Sequence, residues 1–249
     1  MSAVRTRLLI ACGCLLTLTA PAAAQQTPRA AAPVDLTGYW VSVITTEWRY
    51  RMMTPPKGDY EGIPITPAAR KLADAWDPVK DTAAGEQCRA YGAPAIMHMP
   101  ARLHIAWADD ASLRVEVDQG TQTRLFQFGA AAAARARTWQ GQSIADWQNS
   151  RPSTGAGPPS TFPRSASLKV VTSGLRPGYI RSNGVPYGER AVLTEYFDVV
   201  PGVRGEQWLI VTTLLDDPQN LQQPLLRSVQ FRKQADAAGW EPTPCLSRW

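Results

Sequence analysis

From Ala101 onward the chain adopts a period of two. Leu103, Ile105 and Trp107 alternate with Arg102, His104 and Ala106; beyond Asp109-Asp110, Leu113, Val115 and Val117 alternate with Arg114, Glu116 and Asp118. Successive side chains of a strand point to opposite faces, so both runs carry one apolar and one polar face. Keeping the apolar face whole forces odd positions opposite odd and even opposite even, because a slip of one residue would turn it outward. The pattern predicts a hairpin, and Gln119-Gly120 supplies a tight turn into a third strand over 121–128. Such a meander must bury one face against something.

Further strands follow. The β-rich 41–44 comes after Asp35, 167–173 is a separate strand, 191–200 pairs with 207–215 across the Pro/Gly turn at 201–205, and 225–233 is last. One helix is signalled: Thr66 caps it, Pro67 suits its first turn, residues 68–76 place Leu72, Ala75 and Trp76 on one side, and Asp77-Pro78 stops it. The alanine-rich 130–136 and the stretch 139–147 read as a break, and 150–165, dense in Pro, Ser, Gly and Thr, as a mobile surface loop. Eight or so antiparallel strands, one short helix and long loops describe a mainly β domain, either a closed barrel or a sandwich. Sequential hairpins favour an antiparallel β-barrel, which leaves no sheet edge exposed.

Residues 1–24 have Arg5 and Arg7 in a basic start, an apolar run over 8–18 and Ala22-Ala23-Ala24 before Gln25, which reads as a signal peptide cleaved after Ala24. A flexible lead over 25–34 and a single domain over 35–249 complete the expected organisation, placing the protein in the periplasm or outside the cell. No later stretch approaches the roughly 20 apolar residues of a membrane-spanning helix. Cys12 and Cys14 leave with the leader, so Cys88 and Cys245 have only each other to pair with in an oxidising compartment.

The formal charge of +5 falls by two when Arg5 and Arg7 are removed, and no block of Lys or Arg interleaves with aromatics. Nucleic acid is therefore not an expected partner. Phosphate-cradling loops, a dinucleotide fingerprint and a Gly-x-Ser-x-Gly elbow are absent from the sequence, so neither a nucleotide cofactor nor serine catalysis is expected. The two histidines, His98 and His104, lack the spacing of a metal site, and no metal is expected. Nine tryptophans are the compositional oddity. Each either plugs a barrel end or offers a flat wall to an organic ligand.

With a three-residue loop the predicted hairpin sets His104 across from Glu116 and Arg102 across from Asp118, and a slip by two leaves His104 near Asp118. A carboxylate beside an imidazole orients it and raises its basicity, as general acid–base work requires, while the same residues equally form cross-strand ion pairs on a wet face. A second cluster, Arg176, Tyr179, Arg181 and Tyr187, stands in a Pro/Gly-stiffened loop suited to gripping a carboxylate or phenol. Trp48 and Arg49 are candidates for the same mouth, with His98 in the apolar Ile96-Met97-His98-Met99 setting, Trp107 as a wall, and Glu195 either solvated or inside the pocket.

Two resemblances add to this. Gly38-Tyr39-Trp40 on the first strand, with Arg227 and Arg232 on the last, is similar to the lipocalin and calycin pattern, which implies a barrel closed by tryptophan against arginine. Across nearly the whole mature chain, Glu86-Gln87-Cys88 followed by Gly92, the 139–144 stretch, Thr194-Glu195-Tyr196-Phe197, and Asp216-Asp217-Pro218 with Pro224 resemble a family of exported bacterial proteins of undefined function. Together these readings predict a calycin-type barrel enclosing a small apolar or aromatic organic molecule against Leu103, Ile105, Leu113, Val115 and Phe126. If it is an enzyme, the expected chemistry is cofactor-free elimination, hydration or isomerisation, with His104 as base, Glu116 orienting it, and Tyr179 or Arg176 stabilising an oxyanion. A noncatalytic carrier or an envelope assembly module are the competing classes. The sequence leaves the oligomeric state open.

Overall fold

The computed structural model describes residues 26–129, 136–149 and 166–248; the expected leader and the 150–165 loop lie outside them. The chain is mainly β. Nine strands close into a barrel in the order β1 (Gly38–Val43), β11 (Leu225–Gln234), β10 (Gln207–Asp216), β9 (Val192–Pro201), β6 (Ala166–Ser173), β5 (Gln142–Asn149), β4 (Gln122–Phe128), β3 (Ser112–Val117) and β2 (Arg102–Asp109). Neighbours are antiparallel except β4 and β5, which run parallel. The β2–β3 register matches the sequence expectation, with Leu103 opposite Val117 and His104 opposite Glu116.

Inward positions follow the period of two around the barrel. Trp40, Leu103, Ile105, Leu113, Val115, Phe126, Leu168, Val170, Phe197, Val211 and Phe231 all pack into one buried core. Each such side chain contributes about 1.5–3 kcal/mol relative to an exposed position. The expectation of a ligand enclosed by Leu103, Ile105, Leu113, Val115 and Phe126 is corrected here: these side chains fill the barrel by packing on one another. At one end Trp107 stacks on Phe128 at 5.5 Å and Phe128 meets Trp147 at 5.6 Å, so two tryptophans serve as plugs. The N-terminal lead docks on that end rather than hanging free, because the indole N–H of Trp147 donates to the Pro28 carbonyl and the Arg29 amide donates to that of Asp110.

Strand β5 lies where the sequence reads as a break. Its buried positions are Ser143, whose hydroxyl pairs with Thr172 at 2.7 Å in a polar layer, and the small Ala145, which joins the apolar core. The apolar alternation that signals a strand is thus lost at a place where the barrel interior is not apolar. Trp40 is closed not by an arginine but by Lys233, whose ammonium lies 4.4 Å from the indole centroid; Arg232 is exposed and Arg227 faces inward near the other end of β11.

A cap of short elements covers the other end. Instead of one helix there are, among the described residues, four, α1 (Trp48–Arg51), α2 (Pro67–Asp74), α3 (Pro78–Ala83) and α4 (Ala93–Ile96), with a 3-10 turn at Gln87–Tyr91. Thr66 caps α2 as its sequence predicts, accepting from the Ala69 amide, but Asp77 opens a new helix by accepting from Val79 rather than merely ending the old one. Ala69 and Ala73 are the buried face of α2, while Leu72 is 60% exposed, since only alanine lets the helix lie close to its neighbours. The segment taken for a loop after Arg176 folds as a hairpin of β7 (Gly178–Arg181) and β8 (Val185–Tyr187), joined through Gly184. Gly184 has φ +85°, and a Cβ there would stand 2.3 Å from Trp76. Cys88 in the 3-10 turn is bonded to Cys245, tying the cap to the C-terminal segment across 157 residues of sequence.

Candidate functional site

Between α2–α3 and the β7–β8 hairpin lies a cleft of about 580 Å³. Trp76, Tyr179 and Tyr187 are its aromatic lining, Pro177 and Pro186 stiffen its wall, and Lys80, Arg89, Glu189, Gln219 and Asn220 supply polar groups. At its floor Asp81 of α3 is buried and gathers four hydrogen bonds. The Tyr179 hydroxyl reaches both carboxylate oxygens at 2.9 and 3.1 Å, the Trp76 indole N–H donates at 3.1 Å, and Arg89 Nη1 donates at 3.1 Å. The Arg89 guanidinium also lies 4.5 Å from the Tyr179 ring centroid. Tryptophan and tyrosine suit such a place because one edge is polar and the faces stay apolar.

Burial raises the Tyr179 pKa above the ordinary phenol value, with the Arg89 cation opposing the shift and the bond to Asp81 reinforcing it. Tyr179 is thus a neutral donor whose proton is committed to Asp81. Burial likewise raises Tyr187. Its hydroxyl has no hydrogen-bond partner among the described residues and occupies the space that a Cβ on Gly92 or Gly178 would need, 2.1 and 2.6 Å away. The carboxylate near the opposite side of the cleft, Asp217, accepts from the Gly188 amide and Asn220 through Oδ2, leaving Oδ1 unpaired among the described residues. The cleft therefore combines aromatic side chains with fixed hydrogen-bonding groups, and burial keeps both its phenols neutral.

The structure brings Tyr179 and Tyr187 together here and places the other expected site residues elsewhere. Arg176 is ion-paired with Glu86 and lies 4.5 Å from the Trp139 ring centroid. Arg181, on the same hairpin, turns away to donate to the Glu61 carbonyl and stacks 4.0 Å from the Tyr50 ring centroid. Trp48 is 64% exposed at the start of α1, and Arg49 pairs with Asp59 and Glu61. His98 is buried beneath the cap.

His104 Nδ1 does lie 2.8 Å from Glu116, but on the outer face of the barrel, stacked on Tyr39 at 4.4 Å with Trp240 edge-on at 6.3 Å. It lines no part of the Tyr179 cleft. The Arg102 amide donates to Asp118 at 2.8 Å, as the hairpin predicts, and Trp107 belongs to the barrel plug. Glu195 is inside the barrel, yet as an ion-pair partner: both its oxygens are held by Arg124, which also donates to Thr172.

Sequence reasoning missed Asp81, Arg89 and Arg124. Trp76 and Arg89 lie within eight positions of Asp81, but the donor that places it at the cleft floor, Tyr179, is 98 positions away. Among the described residues no three His, Cys, Asp or Glu side chains converge as a metal site, and no helix is long and apolar enough to cross a membrane. Compared with protein families, curated proteins and solved structures, the chain has no match.

Proposed function

We propose that this is an exported binding protein that takes a small, flat aromatic molecule in the Trp76–Tyr179 cleft, at the end of the barrel rather than within it. The observation that carries the reading is the union of aromatic walls with the saturated Asp81 floor. Stacking faces and a few fixed polar groups are what an organic ligand needs, and their rigidity limits the ordering cost of binding. Arg89 and Lys80 favour a phenolate or carboxylate substituent on the ring. Since Asp81 and Tyr179 spend their hydrogen-bonding capacity on each other, storage or delivery fits the cleft better than proton transfer.

Export belongs to the same proposal and rests on the leader-like 1–24 and on the Cys88–Cys245 bridge, which persists in oxidising compartments. The test is native purification of the secreted or periplasmic protein followed by mass-spectrometric identification of any retained organic compound. A stoichiometric aromatic ligand supports the proposal; an aliphatic or absent one counts against it.

A second reading is favoured by the 2.8 Å contact between His104 and Glu116, which equips the imidazole as a general base for cofactor-free elimination, hydration or isomerisation of a ligand bound at the outer face. On that reading His104→Ala abolishes turnover of the identified compound. Retained turnover in His104→Ala removes it.

A further inference from the structure

Four basic side chains converge beneath the cap from four separate elements. Arg51 points inward from α1, His98 follows α4, Arg181 ends β7, and Arg227 lies on the inward face of β11. Arg51 Nε donates to the His98 carbonyl at 2.7 Å, and Arg227 Nη2 donates to that of Pro94 at 3.0 Å. His98 Nε2 lies 3.3 Å from the Thr213 hydroxyl, and Thr213 is the register partner of Arg227. Arg51, Arg181 and His98 are respectively 4%, 5% and 7% exposed.

Opposite charge is scarce on the inner side of this cluster. Glu47, the residue before α1, reaches Arg181 at 3.8 Å. Glu195 is the register partner of Thr213, but Arg124 takes both its oxygens. Asp59 and Glu61 pair with Arg49 on the solvent side. Among the described residues, both Nη atoms of Arg51, Nε of Arg227 and Nδ1 of His98 have no hydrogen-bond partner. Burial lowers the pKa of each of the three arginines, Arg227 to about 10, and for Arg227 the charges of Arg181 and Arg51 push further in that direction while Glu47 opposes. A buried guanidinium without a partner is among the least favourable arrangements a fold can hold, and its ordinary remedy is an anion.

We propose that the Arg51–Arg227–His98 cluster is a binding site for a doubly charged tetrahedral oxyanion: free phosphate or sulfate, or the phosphate end group of a small monoester. The unpaired donors come from three separate elements, a spread that suits a tetrahedral anion better than a planar two-oxygen carboxylate. A tetrahedral anion offers four oxygens, and guanidinium forks match it. The imidazole completes the set when the Thr213 hydroxyl, which lies 3.4 Å from the Arg227 carbonyl, turns its single proton to Nε2 and leaves Nδ1 as the N–H donor. Arg51 closes the site from α1, so entry requires this single turn to move. Glu47, held in the left-handed region at φ 54°, competes with the anion for Arg181. The site shares β7 with the Tyr179 cleft but none of its lining residues, and it stands whether or not the aromatic ligand does.

The test is thermal unfolding of the folded mature protein at pH 8 in phosphate, sulfate, acetate or chloride at equal ionic strength, with Arg51→Met, Arg227→Met and Ala75→Trp alongside. Phosphate or sulfate is expected to raise the wild-type midpoint saturably, by several degrees at about a hundredfold excess over Kd, with acetate and chloride inert. Whichever dianion gives the larger shift names the source. Both arginine variants are expected to lose the response, and Ala75→Trp in the cleft to keep it. Arg51→Met removes an unpaired charge and is expected to fold in anion-free buffer. Equal shifts in all four salts, or a dianion response retained by both arginine variants, would overturn the proposal. Calorimetric titration of the wild type with phosphate and with sulfate decides it independently of the variants: saturable heat supports the site, and its absence from both overturns it.

Discussion

Arg124 and Glu195 form a two-pronged ion pair inside the barrel, with both side chains wholly shielded from solvent. Taking two charges out of water is expensive, so the pair is not a net source of stability by default, but breaking it leaves one charge uncompensated. Either Arg124→Met or Glu195→Gln alone is expected to cost about 3–5 kcal/mol, and Arg124→Met with Glu195→Leu to cost much less than the sum. Urea unfolding of the two singles and the double closes the cycle; additive losses would show that the two side chains do not act as a pair.

Removing the Tyr179 hydroxyl takes one of three donor groups from Asp81. Tyr179→Phe is expected to lower stability by about 1–2 kcal/mol and to weaken ligand retention, whereas Asp81→Ala, which strands Trp76, Arg89 and Tyr179 together, costs more. Chemical denaturation ranks the two, and a larger loss in Tyr179→Phe would contradict this account of the floor.

Gly184 and Gly58 both have left-handed backbones, at φ +85° and +92°, but only Gly184 has a neighbour in the way. Gly58→Ala is expected to cost about 1 kcal/mol, the strain of the backbone alone. Gly184→Ala adds a collision with Trp76 and is expected to cost about 2–4 kcal/mol and to distort the cleft. Equal unfolding midpoints in the two variants would refute the close approach.

His98 is kept neutral. Burial first, then the charges of Arg227, Arg51 and Arg181, hold its pKa well below the usual 6.5. Below pH 6.5 the unfolded chain therefore binds a proton that the folded chain does not, and stability falls as the pH drops from there toward the folded-state pKa. Unfolding free energies between pH 7.5 and 5 should decline more steeply in the wild type than in His98→Asn. Parallel curves would remove His98 as the cause.

The Cys88–Cys245 bond closes a loop of 157 residues. Restricting the unfolded chain in this way stabilises the fold by at most about 5 kcal/mol. Cys88→Ser with Cys245→Ser is expected to lose several kcal/mol against denaturant and to loosen the 3-10 turn that carries Arg89. An unchanged midpoint would mean that the cap and C-terminus hold without the bond.

The parts of this molecule that were readable from sequence share one property: a local repeat sets them. Alternation over 102–117 fixes the side-chain parity, which puts His104 on the same face as Glu116 and Asp118, and the loop length selects Glu116 as its partner. Thr66 and Pro67 mark a helix start for equally local reasons. Strand β5 fails the same test because Ser143 faces the Arg124–Thr172 layer, where an apolar residue would leave polar partners unsatisfied. Residues 121–128 concealed Arg124 among polar neighbours, since its reason for pointing inward is Glu195, 71 positions away. Tyr179 was legible as a candidate from its Pro/Gly-rich setting, while Asp81, the group that positions it, was not. Side-chain chemistry reveals what a residue could do, but the cleft depends on long-range contacts that leave no local trace.

The most direct test of the cleft is native mass spectrometry of the wild type beside Ala75→Trp. Ala75 lines the cleft and is exposed, so an indole there fills the space without disturbing the core. With folding verified by matched circular dichroism spectra, the wild type is expected to retain one equivalent of an aromatic ligand and Ala75→Trp none. Undiminished retention in Ala75→Trp would place the ligand elsewhere and contradict the account.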